Sequence, residues 1–342
     1  MSNPRTRIFV TRRLPESIET RMAALFDTVV NADDTPLAPD ELVARLAGTE
    51  VLVSTITDRI DAALIARLPS SLRLIAQFGN GFDNIDLEAA WAAGLTVTNT
   101  PSVLTEDTAD MAMALILALP RRLVEGARMI REERGWPGWS PTAMLGHRMR
   151  GKNLGIVGMG RIGTAVAQRA RAFGLAIHYH SRQRRPPQIE APLEATFWPS
   201  IDDMLGAVDI VSLHTPLTRE THHLLSAGRL AALRAGAYVV NVSRPELIAE
   251  PALVAGIEAG RIAGAALDVF EYRDGIDARL LRLARDNRVL LTGHMASATL
   301  EARIEMGEAV IVNIRTFLDG HQPPHRVLPE RSAPPLRAAA EG

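Results

Sequence analysis

Three glycines in the middle of the chain, Gly158, Gly160 and Gly163, form a G-x-G-x-x-G pattern. This spacing is typical of a turn that binds the pyrophosphate of a dinucleotide. The first glycine permits a tight turn, the second lets the backbone approach the phosphates, and the third lets a helix lie close to the strand. The helix N-terminus offers free N–H groups and the positive end of its dipole to the phosphates. We therefore also expect Arg161 and Ile162, which open this helix, at the cofactor site.

The elements around the turn favour the same interpretation. A short apolar run, Leu154 to Val157, leads into the glycines, and an apolar-periodic helix follows. Gly174 ends that helix, and Leu175 to Tyr179 reads as a second strand. Strand, glycine turn, helix and strand within about thirty residues is the context that such a pattern needs.

The segment after the second strand bears on the choice of nicotinamide cofactor. A site selective for NAD places Asp or Glu there to bind the ribose 2′-hydroxyl, and this chain has Ser181, Arg182 and Arg184 instead. Serine and arginine can bind a 2′-phosphate through charge-assisted hydrogen bonds, whereas a carboxylate would repel it. The sequence predicts NADP(H) as the preferred cofactor and NAD(H) as the alternative; a solvated basic loop is the competing explanation.

Composition bounds the class of protein. The chain has 342 residues, of which 47% are hydrophobic and 23% charged, as in an ordinary globular enzyme of two domains. Its 38 Lys and Arg residues balance 39 Asp and Glu residues, so no nucleic-acid or membrane partner is expected. The absence of cysteine excludes disulfides and thiolate chemistry. The first residues lack an apolar signal core, which makes a cytoplasmic protein the expectation.

Apolar runs alternate with helical patterns through both halves of the chain, which indicates parallel sheets with crossover helices. The first half is predicted to hold strands at Arg7–Thr11, Val51–Ser54, Leu72–Ala76 and Thr96–Asn99. An almost wholly apolar helix, Leu104–Leu119, follows and must be buried. Beyond the glycine turn we expect strands at Ile210–His214, Tyr238–Val242, Gly264–Val269 and Val289–Thr292, then a helix from Ala298 to Gly320. The predicted fold class is α/β with two doubly wound parallel sheets.

The order of motifs resembles that of the D-2-hydroxyacid dehydrogenase family over nearly the whole chain, and looks most like the glyoxylate/hydroxypyruvate reductase branch. The matching segments, besides the glycine turn, are Phe78–Asp86, Thr105–Asp110, His214–Thr218, Val240–Arg244, Gly264–Phe270 and Gly293–Thr299. The resemblance implies a Rossmann cofactor domain, residues 101–299, inserted into a flavodoxin-like substrate domain formed by residues 1–100 and 300–342. Family members are commonly homodimers joined through their cofactor domains, and the same is expected here.

The resemblance also implies which residues meet the substrate. Arg244 matches the arginine that binds the carboxylate and keto oxygen of a 2-keto acid, and His294 matches the histidine that protonates that oxygen. Main-chain N–H groups of Asn80 and Gly81 match the loop that grips the substrate carboxylate. The alternatives are an interdomain ion pair for Arg244 and a helix-cap or core position for His294.

Further cofactor contacts are implied in the same way. Thr108 is expected on a phosphate or ribose, and Asp268 on the nicotinamide amide. The remaining expected contacts follow two strands or close the site: His214, Thr215, Pro216, Thr221, Val242, Ser243, Arg244 and His294. No metal site is predicted, because His222 and His223 are neighbours that would not face one point.

One catalytic position departs from the family. The glutamate that holds the histidine should lie five residues after Asp268, and this chain has Arg273 there. A cation at that position would disfavour a protonated imidazole beside it. Nearby, Pro245, Gly293 and Ala296 replace the usual Gly, Pro and Gly.

Three explanations are open. Glu271 or Asp274, on the same loop, could take the place of the missing carboxylate. Alternatively, Arg273 could face the substrate and pair with a second acidic group, which would select a larger or dianionic acid. In the third, keto-acid chemistry has been lost, and one variant is hydride abstraction from formate.

The sequence thus predicts NADPH-dependent reduction of glyoxylate, hydroxypyruvate or a related 2-keto acid to the D-2-hydroxy acid. A hypothesis from another class is a dinucleotide-binding sensor or partner protein that has kept the fold and lost turnover.

Overall fold

A computed structural model describes residues 5–132, 138–272 and 275–329 of the chain. These residues form two compact units. Unit 1 comprises the residues up to Leu104 together with those from Thr299 onward, and unit 2 spans Thr105–Ala298. Arg273 and Asp274, which matter for the missing carboxylate, lie outside the described residues.

The elements are numbered in chain order. Up to residue 104 they are β1 (Arg7–Val10), α1 (Glu16–Leu25), β2 (Asp27–Val30), α2 (Pro39–Arg45), β3 (Val51–Ser54), α3 (Ala62–Ile65), β4 (Leu74–Gln77), α4 (Leu87–Ala92) and β5 (Thr96–Thr98). Unit 2 contains α5 (Thr105–Ala118), α6 (Leu123–Glu132), β6 (Asn153–Val157), α7 (Arg161–Ala172), β7 (Ala176–His180), α8 (Pro187–Leu193), β8 (Thr196–Phe197), α9 (Ile201–Ala207), β9 (Ile210–Leu213), α10 (Ala227–Ala232), β10 (Ala237–Asn241), α11 (Glu250–Glu258), β11 (Ile262–Leu267), α12 (Ala278–Arg285) and β12 (Val289–Leu291). The chain then returns to unit 1 as α13 (Leu300–Leu318) and β13 (Arg326–Val327).

The sheet of unit 1 has the order β13-β5-β4-β3-β1-β2. Strands β1 to β5 are parallel to one another, and β13 pairs antiparallel with β5 at the edge of the sheet. The parallel part has the order 2-1-3-4-5 of flavodoxin-like folds, as predicted. All residues of the central strands β3 and β4 are buried, because separate apolar clusters cover the two faces of the sheet.

The sheet of unit 2 has the order β12-β11-β10-β9-β6-β7-β8, with every neighbouring pair parallel. The direction of winding reverses between β6 and β9, which is the Rossmann arrangement and confirms the predicted fold class. Ligands of such sheets bind beyond the carboxyl ends of the strands at this switch point. The glycine turn follows β6 directly.

The predicted apolar helix is α5, and it packs against α7 within unit 2. Ala109, Ala112 and Ile116 are fully or almost fully buried in the same cluster as the apolar face of α7. On the outer side, Arg169 of α7 donates to Glu106 at 2.7 Å and to Asp110 at 2.6 Å. This packing accounts for the apolar character of α5. Within the described ranges, no helix combines the length and apolar character needed to cross a membrane.

Candidate active site

The site residues predicted in unit 2 follow six strands at one edge of its sheet. Gly158, Ser181 and His214 come directly after β6, β7 and β9, and Asp268 comes directly after β11. Arg244 and His294 lie three residues beyond the ends of β10 and β12. Because all these strands are parallel, their carboxyl ends share an edge. The fold therefore gathers residues separated by more than a hundred positions in sequence.

The glycine turn has the geometry that its sequence predicts. Gly158 has φ +97°, and a Cβ there would lie 2.6 Å from the carbonyl oxygen of His214, so the turn needs glycine on both grounds. A Cβ on Gly163 would lie 2.1 Å from the carbonyl oxygen of Gly158. The predicted tight turn and close packing of the helix are thus confirmed.

Gly160 differs from its two neighbours in the motif, because a Cβ on it would have no described atom within 4 Å. The helix α7 begins at the next residue, and no side chain caps it. Its first N–H groups are left for water or a ligand. Open space over backbone donors at a helix N-terminus fits a pyrophosphate.

Ser181 is tied to the same turn. Its hydroxyl oxygen accepts a hydrogen bond from the main-chain N–H of Met159 at 2.8 Å. The hydroxyl proton remains available for another acceptor, such as a ribose or phosphate oxygen. The next residue, Arg182, is exposed.

Arg184, another predicted cofactor residue, forms an ion pair with Glu190. Its guanidinium donates to the Glu190 carboxylate from Nε at 3.0 Å and from Nη2 at 2.8 Å. Tyr179 donates its hydroxyl to the same carboxylate and accepts the Arg185 N–H at 2.8 Å. The hydrogen bonds from Arg184 and Tyr179 lower the pKa of Glu190, while burial together with the Glu190 contact raises the pKa of Tyr179 to about 12. Arg184 thus already has a carboxylate partner in Glu190.

Three predicted cofactor residues have buried polar atoms without partners in the described chain. The imidazole of His214 hydrogen-bonds Ser212 Oγ through Nε2 at 2.8 Å. Its Nδ1 is buried and has no partner within the described chain, and the same holds for the hydroxyls of Thr215 and Thr108. The residue as a whole is half-buried, but burial of the ring lowers the pKa of His214 to about 3. The neutral imidazole of His214 and the Thr215 hydroxyl, on residues that lie against Gly158, fit a polar ligand at this edge.

Two other predicted cofactor residues, Pro216 and Thr221, lie on the loop after β9 and are hydrogen-bonded to each other. Thr221 donates its hydroxyl to the carbonyl oxygen of Pro216 at 2.8 Å and accepts the N–H of Thr218 at 2.7 Å. The hydroxyl of Thr221 thereby stabilises the turn. Pro216 is exposed beside it.

Arg244 is positioned by the end of β10. Asn241 is buried, and its side chain donates to the carbonyl oxygen of Arg244 at 2.8 Å and accepts the N–H of Ser243 at 3.0 Å. Ser243 donates its hydroxyl to the carbonyl oxygen of Leu213 at 2.7 Å, which links this loop to β9. Val242 is buried between them. Arg244 itself is half-buried, and its Nη1 donates to the carbonyl oxygen of Ser243 at 2.8 Å.

His294 lies on a loop held by Asp268. The buried carboxylate of Asp268 accepts the Thr292 hydroxyl at 2.6 Å and the N–H groups of Met295 and Ala296 at 2.9 and 2.8 Å. The carbonyl oxygen of Asp268 accepts the N–H of His294 at 2.8 Å. His294 has φ +52°, in the left-handed region that side chains rarely adopt, and its side chain is exposed. The loop around Asp268 thus fixes the backbone of His294.

The loop on which the family's glutamate would lie is described only in part. Glu271 is exposed, and its N–H donates to Glu250 Oε2 at 3.0 Å. Glu250 is buried, and this burial raises its pKa.

In unit 1, Asn80 and Gly81 lie on the loop after β4 and are half-buried. No described residue accepts a hydrogen bond from either N–H group. This is the arrangement expected of donors that bind a carboxylate.

Sequence reasoning missed the residues that hold the site residues in place. Ser212, Asn241, Glu190 and Gln77 are all buried, and each bonds a predicted site residue or its loop. For Ser212, Asn241 and Gln77 the signal in the sequence is a polar residue at or near the end of a buried apolar strand, since such a residue needs a hydrogen-bond partner. Glu190 carries no such signal because it lies on α8.

Two doubly wound sheets, a glycine turn at the switch point, and an arginine and a histidine beyond β10 and β12 of the same sheet define a nicotinamide-dependent dehydrogenase. The family model for "D-isomer specific 2-hydroxyacid dehydrogenase, NAD binding domain" matches residues 113–296. The chain belongs to the D-isomer specific 2-hydroxyacid dehydrogenases and is an NAD(P)-dependent oxidoreductase acting on CH–OH donors.

Named relatives agree with this assignment. The glyoxylate reductase of Korarchaeum cryptofilum is 42% identical over 322 residues, covering 94% of this chain and 95% of the relative. A crystal structure from Polaromonas, assigned to the D-isomer specific 2-hydroxyacid dehydrogenases, has a TM-score of 0.88 and 40% identity, covering 95% of this chain and 100% of the other. The NADPH-dependent glyoxylate/hydroxypyruvate reductase of Sinorhizobium meliloti, solved with NADP and malonate, has a TM-score of 0.81 and 32% identity, covering 94% and 97% of the two chains.

Proposed function

We propose that this protein reduces glyoxylate or a similarly small 2-keto acid to the D-2-hydroxy acid, with NADPH as the preferred cofactor. The observation that carries the proposal is the placement of Arg244, Asp268 and His294 after three neighbouring strands at the edge that bears the glycine turn. Glyoxylate reductases such as that of Korarchaeum cryptofilum support the substrate class. Their activity as reductases does not favour the alternative of a sensor without turnover.

The residues divide the chemistry between them. In unit 2, Arg244 binds the substrate carboxylate through its guanidinium. In unit 1, the family resemblance gives the N–H groups of Asn80 and Gly81 the role of carboxylate donors. His294 donates a proton to the keto oxygen, which becomes the hydroxyl of the product. The nicotinamide, when bound, supplies the hydride to the keto carbon. Asp268 holds the His294 loop, so the imidazole does not depend on a side-chain carboxylate alone for its position.

The preference for NADPH rests on the end of β7. Ser181 keeps a hydroxyl proton to donate, and the exposed Arg182 beside it carries a positive charge. No carboxylate stands at the position that would repel a 2′-phosphate. Arg184 is left out of this proposal because it is held by Glu190.

We also propose that the protein is a homodimer joined through unit 2. Helix α6 leaves Leu123, Val124 and Ile130 exposed by 63, 51 and 59%. Three large apolar side chains on one short helix suit burial against a second copy. Sedimentation equilibrium tests this proposal, and a monomer at micromolar concentration would contradict it.

The direct test of function is oxidation of NADPH in the presence of glyoxylate, hydroxypyruvate and larger 2-keto acids. We expect turnover with the small acids, and chiral chromatography of the product from hydroxypyruvate should show the D isomer. His294→Gln should reduce kcat by at least about 100-fold, the usual contribution of a positioned general acid. Tight binding of NADPH without turnover on any acid would overturn the proposal and favour the sensor.

The missing glutamate requires its own experiment. If Glu271 or Asp274 assists His294, then Glu271→Gln or Asp274→Asn should shift the pH dependence of kcat/KM. Unchanged pH profiles in both variants would exclude a substitute carboxylate from this loop. Turnover on a dianionic acid that exceeds turnover on glyoxylate would instead indicate that Arg273 faces the substrate.

A further inference from the structure

The loop after β4 is held by three successive carbonyl groups. The carbonyl oxygen of Gly79 accepts the N–H of Thr100 at 2.9 Å. The next, that of Asn80, accepts the side-chain amide of Asn99 at 2.8 Å, and that of Gly81 accepts the side-chain amide of Gln77 at 3.2 Å. Donors on the rest of unit 1 thus anchor the loop through its carbonyls.

Gln77 is the donor that contacts the most groups of this loop and its surroundings. It is the last residue of β4 and is fully buried. Its Oε1 accepts the hydroxyl of Ser54, the last residue of β3, at 2.7 Å. Its Nε2 donates both to the carbonyl oxygen of Gly81 and to Asn84 Oδ1, the latter at 2.9 Å. Gln77 therefore joins two strand ends to both sides of the loop.

The orientation of the Gln77 amide is fixed by its neighbours. Asn84 Nδ2 lies 3.1 Å from the carbonyl oxygen of Thr55 and 2.8 Å from that of Asp58. Both of these are acceptors, so the other end of the Asn84 amide must be its oxygen. That oxygen needs a donor, and among the residues that the structure describes the NH₂ end of Gln77 provides it. A carboxamide meets this requirement, with one acceptor toward Ser54 and two donors toward the loop, whereas a carboxylate does not.

We propose that Gln77 is a positioning residue for the substrate carboxylate. It holds the Gly81 carbonyl and Asn84, and thereby sets the backbone that carries the N–H groups of Asn80 and Gly81. Donors placed before the ligand arrives lose little conformational entropy when it binds. The inference rests on the proposed function, since it assumes that these N–H groups bind the carboxylate of a 2-keto acid.

The test is Gln77→Glu, which keeps the shape of the side chain and the acceptor for Ser54. It turns an oxygen toward two other oxygens, those of Gly81 and Asn84, so the loop loses its anchor at the Gly81 carbonyl. We expect KM for glyoxylate to rise about 10- to 100-fold, as for two unpaired buried acceptors. The effect on kcat should be smaller, and the Kd of NADPH should stay within about twofold, since the cofactor turn is in unit 2.

A pH series adds a signature that loss of stability alone would not produce. A buried carboxyl favours its neutral form, and the protonated acid can donate one hydrogen bond to Gly81 or Asn84. The ratio of the Gln77→Glu KM to the wild-type KM should therefore fall as the pH is lowered. In Gln77→Met, which has no group to protonate, the same ratio should not change with pH.

Asn31→Asp is the matched control. Asn31 is also a buried amide in unit 1, and its Nδ2 donates to two main-chain carbonyls, those of Thr11 at 3.0 Å and Thr35 at 2.9 Å. Asn31→Asp makes the same exchange of an amide for a carboxylate away from the loop. It should lower the melting temperature while leaving KM for glyoxylate within about twofold of wild type.

Two outcomes would overturn the inference: an unchanged KM in Gln77→Glu, or an equal rise of KM in Asn31→Asp. If the wild type turns over neither glyoxylate nor any other 2-keto acid, the proposed function fails, and hydrogen exchange decides about Gln77 alone. Faster exchange of the amides between residues 78 and 85 in Gln77→Glu than in Asn31→Asp supports the positioning role. Equal exchange in the two variants contradicts it.

Discussion

The hydroxyl of Ser181 accepts the main-chain N–H of Met159 at 2.8 Å, which joins the end of β7 to the middle of the glycine turn. The glycine turn is expected to bind the pyrophosphate, and the segment after β7 is expected to meet the 2′ substituent of the ribose. The hydrogen bond couples the two segments, so the backbone of the expected pyrophosphate site is stabilised by the residue that is expected at the ribose. Discrimination between the cofactors should then depend on charge next to Ser181, because the position of Ser181 is fixed.

Arg182→Ala should raise KM for NADPH about 10- to 100-fold, the cost of one or two charge-assisted hydrogen bonds to a phosphate. KM for NADH should stay within about twofold, since NADH lacks the 2′-phosphate. Steady-state kinetics with both cofactors measure this difference. The matched variant is Arg184→Ala, which removes a guanidinium two residues away that is bound to Glu190. It should affect both cofactors to a similar degree, and a selective loss of NADPH in Arg184→Ala would show that Arg184 reaches the phosphate after all.

Two glycine substitutions in the turn should affect different properties: one the binding of NADPH, the other the stability of the fold. Gly160→Ala places a methyl group in open space at an ordinary φ of −78°, so folding should be unaffected. The same methyl group lies where we expect the pyrophosphate to approach, so the Kd of NADPH should rise by about 10-fold or more, or about 1.4 kcal/mol. Gly163→Ala would place its Cβ 2.1 Å from the carbonyl oxygen of Gly158.

That overlap should lower the free energy of unfolding of Gly163→Ala by about 1–3 kcal/mol or more. Urea unfolding and fluorescence titration of NADPH measure the two effects separately. A Gly160→Ala protein that binds NADPH as tightly as wild type would show that the cofactor does not pass over this glycine.

His214 should make the protein sensitive to acid. Burial lowers its pKa from 6.5 to about 3, so the unfolded state binds a proton in this range that the folded state does not. The contribution to stability is therefore complete above the unfolded pKa of 6.5 and is lost as the pH falls toward about 3. The wild type should lose up to about 1.4 kcal/mol per pH unit from this group on acidification.

His214→Gln has no group that titrates in that range, so its free energy of unfolding should fall less steeply with pH. Urea unfolding at several pH values on either side of the unfolded-state pKa of 6.5 measures how steeply the free energy of unfolding depends on pH in the two proteins. Parallel slopes would contradict a neutral, buried His214. Near neutral pH the His214 ring should stay uncharged, so it should add no pH dependence to NADPH binding.

The central strands could be predicted from the sequence because they are buried on both faces and therefore consist of continuous apolar residues. β3, with all of its residues buried, was predicted with its observed bounds. The missed strands lie at sheet edges. β2 has one exposed and three half-buried residues, and β13 has only two residues, so neither has an apolar run to mark it.

The site divides in a similar way between what is local and what is not. The roles of Gly158 and Gly163 could be predicted because the motif, the turn and the helix are contiguous in sequence. The ion pair of Arg184 could not be predicted, because Glu190 lies on the next helix and only folding brings the carboxylate to the guanidinium. Gln77 escaped notice for the same reason: the requirement for its amide comes from Ser54 and Asn84 together.

Asp268→Asn should reduce kcat by about 10-fold or more, through the backbone of His294. The carboxylate accepts three donors, and an amide can keep at most those on one of its ends. If the amide oxygen stays with Thr292 and Met295, its NH₂ group faces the N–H of Ala296, and one buried donor pair is left unsatisfied at a cost of about 1–3 kcal/mol. His294, at φ +52°, would lose part of the support for its left-handed conformation.

The measurements for Asp268→Asn are kcat with glyoxylate and the Kd of NADPH, with Thr292→Val as the milder companion that removes a single donor from the same carboxylate. If Asp268 acts through the His294 loop, kcat falls in both variants, more in Asp268→Asn, and the Kd changes by less than about threefold. If Asp268 instead binds the nicotinamide amide, as the family resemblance implies, the Kd of NADPH rises in Asp268→Asn and stays unchanged in Thr292→Val. The hydrogen bonds of the carboxylate favour the first outcome, because all three of its donors come from the loop that carries His294.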